Sequence, residues 1–124
     1  MTAPPQVRLQ RVYEAPDPSD GQRVLVDRLW PRGLARSKAA IDEWLKAVAP
    51  SDELRRWYGH EPEKFPAFRQ RYQQELGGAE QSGALDHLHQ LARHGTVTLL
   101  TATRDIEHSQ AAVLAELLRG ADGQ

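Results

Sequence analysis

Cysteine is absent from this 124-residue sequence, and so is any apolar run near the roughly 20 residues that a membrane helix needs. Without cysteine, the chain has no disulfide, no thiolate metal ligand and no thiol nucleophile. The first six residues lack the pattern of a signal peptide. An excess of one charge sign is also missing, because the formal net charge is −1. We therefore expect a cytoplasmic protein with no membrane segment, and general binding of duplex DNA is not favoured.

The remaining composition is that of a globular domain, with 40% hydrophobic and 27% charged residues. A chain of this length is the size of one compact domain. It contains no internal repeat and no interdomain linker. We expect a single domain over residues 7–119, with flexible tails at residues 1–6 and 120–124.

Three segments are predicted to be β-strands. Residues 7–13 alternate between apolar and polar side chains, which is typical of a half-buried strand. Residues 23–30 have a β-branched apolar centre, and Pro31 must end that strand because proline cannot donate a sheet hydrogen bond. Residues 96–101 form the third such segment. Two prolines and a glycine make residues 14–22 a loop.

Helices are predicted between the second and third strands and after the third. Apolar residues at i, i+3, i+4 and i+7 predict an amphipathic helix over Ile41–Val48, which stops before Pro50. Ser51 is a natural N-cap for a short helix that ends near Gly59. Further apolar stripes predict helices over residues 62–76, 85–94 and 106–118.

This order of elements predicts an α/β fold: a small single domain with a short, at least partly parallel β-sheet of about three strands, flanked by helices. In such sheets, ligands bind beyond the carboxyl ends of the strands. The second strand runs into Arg28 and Arg32, and the third into Arg104, just before a helix N-terminus. If these strands are parallel neighbours, the arginines converge on a site for phosphate, carboxylate or nucleotide. Gly33 would allow a tight turn there, and Trp30 could stack on a base.

Each of these residues also has a structural interpretation. A tryptophan such as Trp30 is more often a packing residue, Asp105 would cap the final helix, and Arg28 would pair with Asp27. The basic stretch Arg23–Lys38 holds five basic residues and one acid, and it would pair with acids elsewhere in the chain. Both interpretations stay open on the sequence alone.

No metal or cofactor site is indicated by the sequence. His87 and His89 fall on different helix faces, and His87 and His94 are two turns apart, so neither pair has the i, i+4 spacing of a helical metal site. Three common nucleotide and hydrolase motifs, G-x-x-x-x-G-K-[ST], G-x-G-x-x-G and G-x-S-x-G, are absent. His60 lies in a predicted loop and is a candidate for proton transfer, although a surface histidine is the simpler interpretation.

The segment Val24–Gly33, with the sequence VLVDRLWPRG, resembles the hallmark of the YeaO-like family, the domain of unknown function 488. The resemblance continues at Trp57–His60 and covers roughly residues 7–118 in order. It implies a small bacterial cytoplasmic α/β domain, and it carries over no catalytic residue because the family has no established activity. The chain departs from the usual pattern at Thr101, where tyrosine is common, and at Arg104, where lysine is common.

The polar residues that match this family pattern suggest roles at the predicted site. Together with Trp30 and Gly33, four basic residues are the predicted ligand-binding set: Arg28, Arg32, Lys46 and Arg104. Three residues are the candidates for proton transfer: His60, Asp105 and His108. Arg55 and Trp57 would cover the site as a lid, or would only pack the short helix.

Three functions fit these observations. The first is an enzyme that acts on a phosphorylated or nucleotide-like small molecule. The second is a non-catalytic sensor of such a ligand, which needs no proton-transfer group near the ligand. The third is a nucleic-acid-associated regulator that uses the Arg23–Lys38 stretch, and it ranks below ligand binding. No cofactor is expected, and exposed apolar helix faces would allow a homodimer.

Overall fold

The β-sheet is built around the strand Val97–Thr101 (β4), whose five residues are all buried. The computed structural model describes residues 6–120. Strand β1 (Val7–Arg11) pairs with one side of β4, and β2 (Gln22–Leu25) with the other. A two-residue strand, β3 (Glu43–Trp44), pairs with β2. The order is therefore β1-β4-β2-β3, and every pairing is parallel. The predicted α/β class and parallel sheet are confirmed, and residues 6–120 form four strands, close to the predicted number of about three.

The described part of the chain also contains four α-helices: α1 (Asp52–Tyr58), α2 (Phe65–Glu75), α3 (Ala79–His94) and α4 (Gln110–Gly120). Local chemistry explains the limits of α1. The Ser51 side chain accepts a hydrogen bond from the backbone N–H of Leu54, and Gly59 ends the helix with a left-handed φ of 55°. Both predicted ends of this helix are confirmed. No helix within residues 6–120 is long and apolar enough to cross a membrane.

The helix predicted over Ile41–Val48 is wrong. Glu43 and Trp44 instead form β3, and a 3-10 turn follows at Lys46–Val48. Pairing with Val24–Leu25 satisfies the backbone of this segment, and Val48 still reaches the core with no exposed surface. The apolar residues of this segment thus have the spacing of a helix, but they form a short strand and a 3-10 turn.

Several other predicted boundaries also differ. The first strand ends at Arg11 rather than at residue 13, and the helix predicted over residues 85–94 begins at Ala79. The second strand ends at Leu25 rather than at residue 30. The last helix begins at Gln110, because residues 106–108 form a separate 3-10 turn. Ser109 caps α4 by accepting a hydrogen bond from the N–H of Ala112 at 3.3 Å, so Asp105 does not cap this helix. Of the predicted tails, residues 1–5 and 121–124 lie outside the described part of the chain.

The two faces of the sheet are covered differently. The main core packs residues from all four helices against Val24, Val26 and Leu99. Its largest fully buried side chains on the helices are Tyr72, Phe68, Leu88, Leu114 and Leu118. On the opposite face, a smaller cluster centred on Leu25 and Leu100 is covered by segment 30–44, which contributes Trp30, Leu34, Ile41 and Trp44. The segment after β2 is thereby held against the sheet.

Gly21 sets the close approach of the loop that enters β2. Its φ is +64°, and a Cβ added there would lie 2.1 Å from the carbonyl oxygen of Thr96. The next residue, Gln22, donates its backbone N–H to that same oxygen at 3.0 Å. Only glycine can adopt this positive φ and also leave room for the close approach of the Thr96 carbonyl group.

Candidate ligand-binding site

A cavity of about 360 Å³ opens where the carboxyl ends of β2 and β4 lie side by side. The segment after β2 lines one side with residues 27–32, and residues 102–103 after β4 line another. Helix α1 contributes Arg55, Arg56 and Tyr58, and Ser109 and Gln110 come from the start of α4. The cavity occupies the sheet edge that the sequence predicts for a ligand, and its volume is in the range of small-molecule sites.

The side chain of Asp27, which lines the cavity, accepts three hydrogen bonds. Its Oδ1 accepts hydrogen bonds from the Thr101 hydroxyl at 2.8 Å and from the Gln110 amide at 2.6 Å. Its Oδ2 accepts a hydrogen bond from the backbone N–H of Ala102 at 2.8 Å. The carboxylate therefore joins the end of β2 to the end of β4 and the start of α4.

Burial raises the pKa of the Asp27 carboxyl above its ordinary value. The three hydrogen bonds and the nearby positive charge of Arg55 act in the opposite direction and favour the ionised form. Burial is the larger of these effects. The position of Asp27 thus disfavours the charge of its carboxyl group, and its hydrogen-bond partners offset this effect only in part.

Four guanidinium groups line the cavity, and they differ in how firmly they are held. Arg28 donates its Nε to the carbonyl oxygen of Pro50 at 3.1 Å and lies 3.8 Å from a carboxylate oxygen of Asp52. Arg55 lies 3.5 Å from the same oxygen. Arg32 and Arg56 are exposed and form no ion pair with any residue of 6–120. These two arginines have charges that a ligand can use.

The remaining predicted ligand-binding residues are placed differently. Trp30 lines the cavity, but its indole N–H donates to the carbonyl of Leu34 at 2.7 Å and its ring packs edge-on against Trp44. Gly33 adopts a φ of +77° and does not line the cavity. Lys46 lies over the Trp44 ring at 4.0 Å, and Arg104 is exposed; both are outside the lining.

Two of the three predicted proton-transfer residues line the cavity. His60 lies at its edge with a left-handed φ of 58°. His108 is oriented by Asp105, whose carboxylate lies 2.8 Å from its Nδ1, while Asp105 itself is outside the lining. Next to them, the Tyr58 hydroxyl donates to the His108 carbonyl at 2.6 Å. Burial, and then the charges of Asp105 and Glu63, raise the pKa of this phenol.

Sequence reasoning assigned no role at the site to several lining residues, among them Asp27, Arg56 and Gln110. Asp27 lies within the hallmark segment and directly precedes Arg28, but it entered the argument only as a counter-charge. A polar residue at the carboxyl end of a buried strand was the signal that could have found it. For Arg56 and Gln110 no local signal existed, because the placement of α1 and α4 against the sheet is a tertiary property.

One of the five basic residues in the stretch Arg23–Lys38 is withdrawn from the surface. Arg23 is buried and pairs with the buried Asp20 at 2.5 Å, at the opposite end of β2 from the cavity. Arg36 lies over the ring of Trp30 at 4.6 Å. The structural interpretation therefore holds for Arg23. Within residues 6–120, no group of three or more potential ligands is arranged to hold a metal ion.

Comparison with known proteins gives a family and relatives of unknown function. The model of the family described as the inactive DUF488-N3 subclade matches residues 6–122. The uncharacterized protein Rv3073c of Mycobacterium tuberculosis (strain ATCC 25618 / H37Rv) is 53% identical over 115 residues, which cover 93% of this chain and 95% of that protein. The uncharacterized protein YeaO of Escherichia coli (strain K12) is 41% identical over 113 residues, with 91% and 96% covered. No solved structure matches the chain.

Proposed function

The chain belongs to the YeaO-like DUF488 family, in the branch described as the inactive N3 subclade, and we propose that it binds a small anionic ligand in its cavity without transforming it. The resemblance of segment Val24–Gly33 to this family is thereby confirmed. The proposal extends the family assignment by a site and a ligand class.

The observation that carries the proposal is the charge of the cavity lining. Four guanidinium groups surround a cavity that contains one carboxylate, Asp27, whose oxygens already accept three hydrogen bonds. Guanidinium groups bind phosphate and carboxylate through two parallel hydrogen bonds. Arg32 and Arg56 have no acidic partner within residues 6–120, so a ligand need not displace one. A concave site with one sign of charge also raises the local concentration of anions.

Binding without turnover is favoured over catalysis because the matching family is described as inactive. His60 and His108 line the cavity as candidates for proton transfer, so turnover is assayed as part of the test. The regulator hypothesis loses support because Arg23 is buried in an ion pair. A sensor or carrier of a small anion fits these observations best.

The test compares Arg32→Ala with Arg104→Ala. Both variants remove one exposed guanidinium group from neighbouring loops, but only Arg32 lines the cavity. Inorganic phosphate and acetate are titrated into each protein by calorimetry, with thermal unfolding as a second readout because a ligand of the native state raises the melting temperature. We expect Arg32→Ala to weaken anion binding at least about tenfold and Arg104→Ala to weaken it less than about twofold.

Equal losses in the two variants would show that only the overall charge of the protein matters, and would contradict a site in the cavity. The absence of stabilisation by every anion tested, phenyl phosphate and benzoate included, would refute the proposal. Incubation with phenyl phosphate, followed by assay of released phosphate, checks the absence of turnover. Hydrolysis that Arg32→Ala abolishes would show that the protein is an enzyme.

A further inference from the structure

The cavity has an apolar wall beside its arginines. The rings of Tyr58 and Phe68 both border it and stack with their centroids 4.3 Å apart, but they belong to the core and leave only 5% and 2% of their surface exposed. Pro50 lines the same cavity. At the rim lies Leu29, with 63% of its surface exposed. Within residues 6–120, only one other large hydrophobic side chain, Tyr13, is classed as exposed, at 44%.

The exposed Leu29 side chain lies where a ligand would contact it. It lies between Arg28 and Trp30 in the sequence, and all three residues line the cavity. A lone phosphate or carboxylate held by the arginines would fill a small part of the roughly 360 Å³ and would leave Leu29 in water. An apolar group attached to that anion would cover it, and burial of apolar surface is favourable.

We propose that the ligand is an organic anion, in which a phosphate or carboxylate is joined to an apolar body such as an aryl group. This inference rests on the anion site proposed above. The anionic group contacts Arg32 and Arg56, and the apolar body packs against Leu29 next to the Tyr58–Phe68 wall. The protein would thus distinguish such molecules from the inorganic anions that are abundant around it.

The experiment compares anions that share a charged group and differ in the apolar body. Inorganic phosphate and phenyl phosphate are titrated into the protein by calorimetry, and acetate and benzoate form the matching carboxylate pair. We expect the aryl member of at least one pair to bind about tenfold more tightly than its partner. That ratio corresponds to about 1.4 kcal/mol.

Leu29→Ser provides the site-specific test, because the exposed side chain can be replaced without opening the core. In this variant, we expect the preference for the aryl anion to fall below about threefold, while the affinity for the inorganic or small anion changes less than twofold. Arg32→Ala is the matched control. It should weaken both members of a pair alike, since it removes the contact with the charged group.

The outcomes of these experiments distinguish failure of this inference from failure of the anion site on which it rests. Equal binding of the aryl and non-aryl anions would overturn the inference and leave the anion site standing. An aryl preference that persists in Leu29→Ser would place the apolar body elsewhere and would also overturn it. If none of the four anions binds, the underlying anion site is refuted.

Discussion

Replacement of Asp27 tests how the cavity is held together. Its carboxylate accepts hydrogen bonds from Thr101, Ala102 and Gln110, which belong to the end of β4 and the start of α4. Asp27 itself follows β2. We predict that Asp27→Ala destabilises the protein and that Asp27→Asn leaves its stability nearly unchanged.

The size of the alanine effect follows from the partners that are left behind. The backbone N–H of the half-buried Ala102 loses its acceptor, and a donor left unsatisfied away from water costs about 1–3 kcal/mol. Thr101 keeps its contact with the Thr103 hydroxyl at 3.2 Å, and Gln110 still lies 3.5 Å from Thr101. We therefore expect a loss of about 2 kcal/mol, which for a domain of this size lowers the melting temperature by roughly 8 °C.

Asp27→Asn keeps the shape and replaces the charge by an amide. The amide oxygen can accept the Ala102 N–H, while the amide nitrogen can donate to Thr101 and to a rotated Gln110 side chain. No buried donor is left without a partner, and the burial of a charge is removed. The free energy of unfolding at neutral pH should stay within about 0.5 kcal/mol of the original value.

The raised pKa of Asp27 gives the asparagine variant a pH signature. A raised pKa means that the native state holds the proton more tightly than the unfolded state. The stabilisation that Asp27 gains from this difference in pKa is fully present below the ordinary aspartate pKa of about 3.9, and it is lost as the pH rises through the raised pKa. Asp27→Asn has no titratable group at this position and does not lose stability in this way. Its stability relative to the original protein should therefore increase as the pH rises across this window.

Urea unfolding followed by circular dichroism measures all three proteins, at neutral pH and at several values down to about pH 4. The reasoning fails if Asp27→Ala loses less than about 0.5 kcal/mol. It also fails if asparagine costs as much as alanine, because the hydrogen bonds could then not be re-formed by an amide. A stability difference between Asp27→Asn and the original protein that falls with rising pH would contradict the pKa argument.

Two further predictions concern the fold. Gly21→Ala should lower the free energy of unfolding by at least about 3 kcal/mol, because the new Cβ would lie 2.1 Å from the Thr96 carbonyl oxygen. The control Gly33→Ala, also at positive φ but with no atom within 4 Å of its Cβ, should lower it by only about 1 kcal/mol. Equal urea midpoints for the two variants would disprove the clash. Tyr72→Phe should cost about 1–3 kcal/mol in thermal unfolding, because the fully buried hydroxyl donates to the Val48 carbonyl at 2.5 Å; an unchanged melting temperature would exclude this contribution.

Local sequence signals predicted the part of the fold that depends on chemistry within one helical turn. Ser51 and Gly59 gave both ends of α1 because capping involves only neighbouring backbone groups. The apolar periodicity gave a wrong prediction over Ile41–Val48, where residues with the spacing of a helix form an edge strand and a turn. The pairing of that segment with β2 is a contact between distant parts of the chain, which a local pattern does not contain.

The position of the cavity was predictable, and its full lining was not. Parallel strands bring their carboxyl ends to one edge, so Arg28 and Arg32 reach it directly after β2. Arg104 lies only one residue beyond the lining residue Thr103, yet the chain bends there and leaves its side chain exposed. The contribution of Arg56 depends on how the buried face of α1 packs on the core, and this was beyond sequence reasoning.

The central position of β4 bears on how the protein is made. Although it is the last strand of the sheet in the sequence, it is the partner of both β1 and β2. While residues 97–101 are still untranslated, β1 has no strand to pair with, and β2 has only the two-residue β3. The nascent chain must therefore keep β1 and one edge of β2 unpaired during most of its synthesis, and unpaired strand edges favour aggregation. Insertion of one late segment then completes both halves of the sheet together.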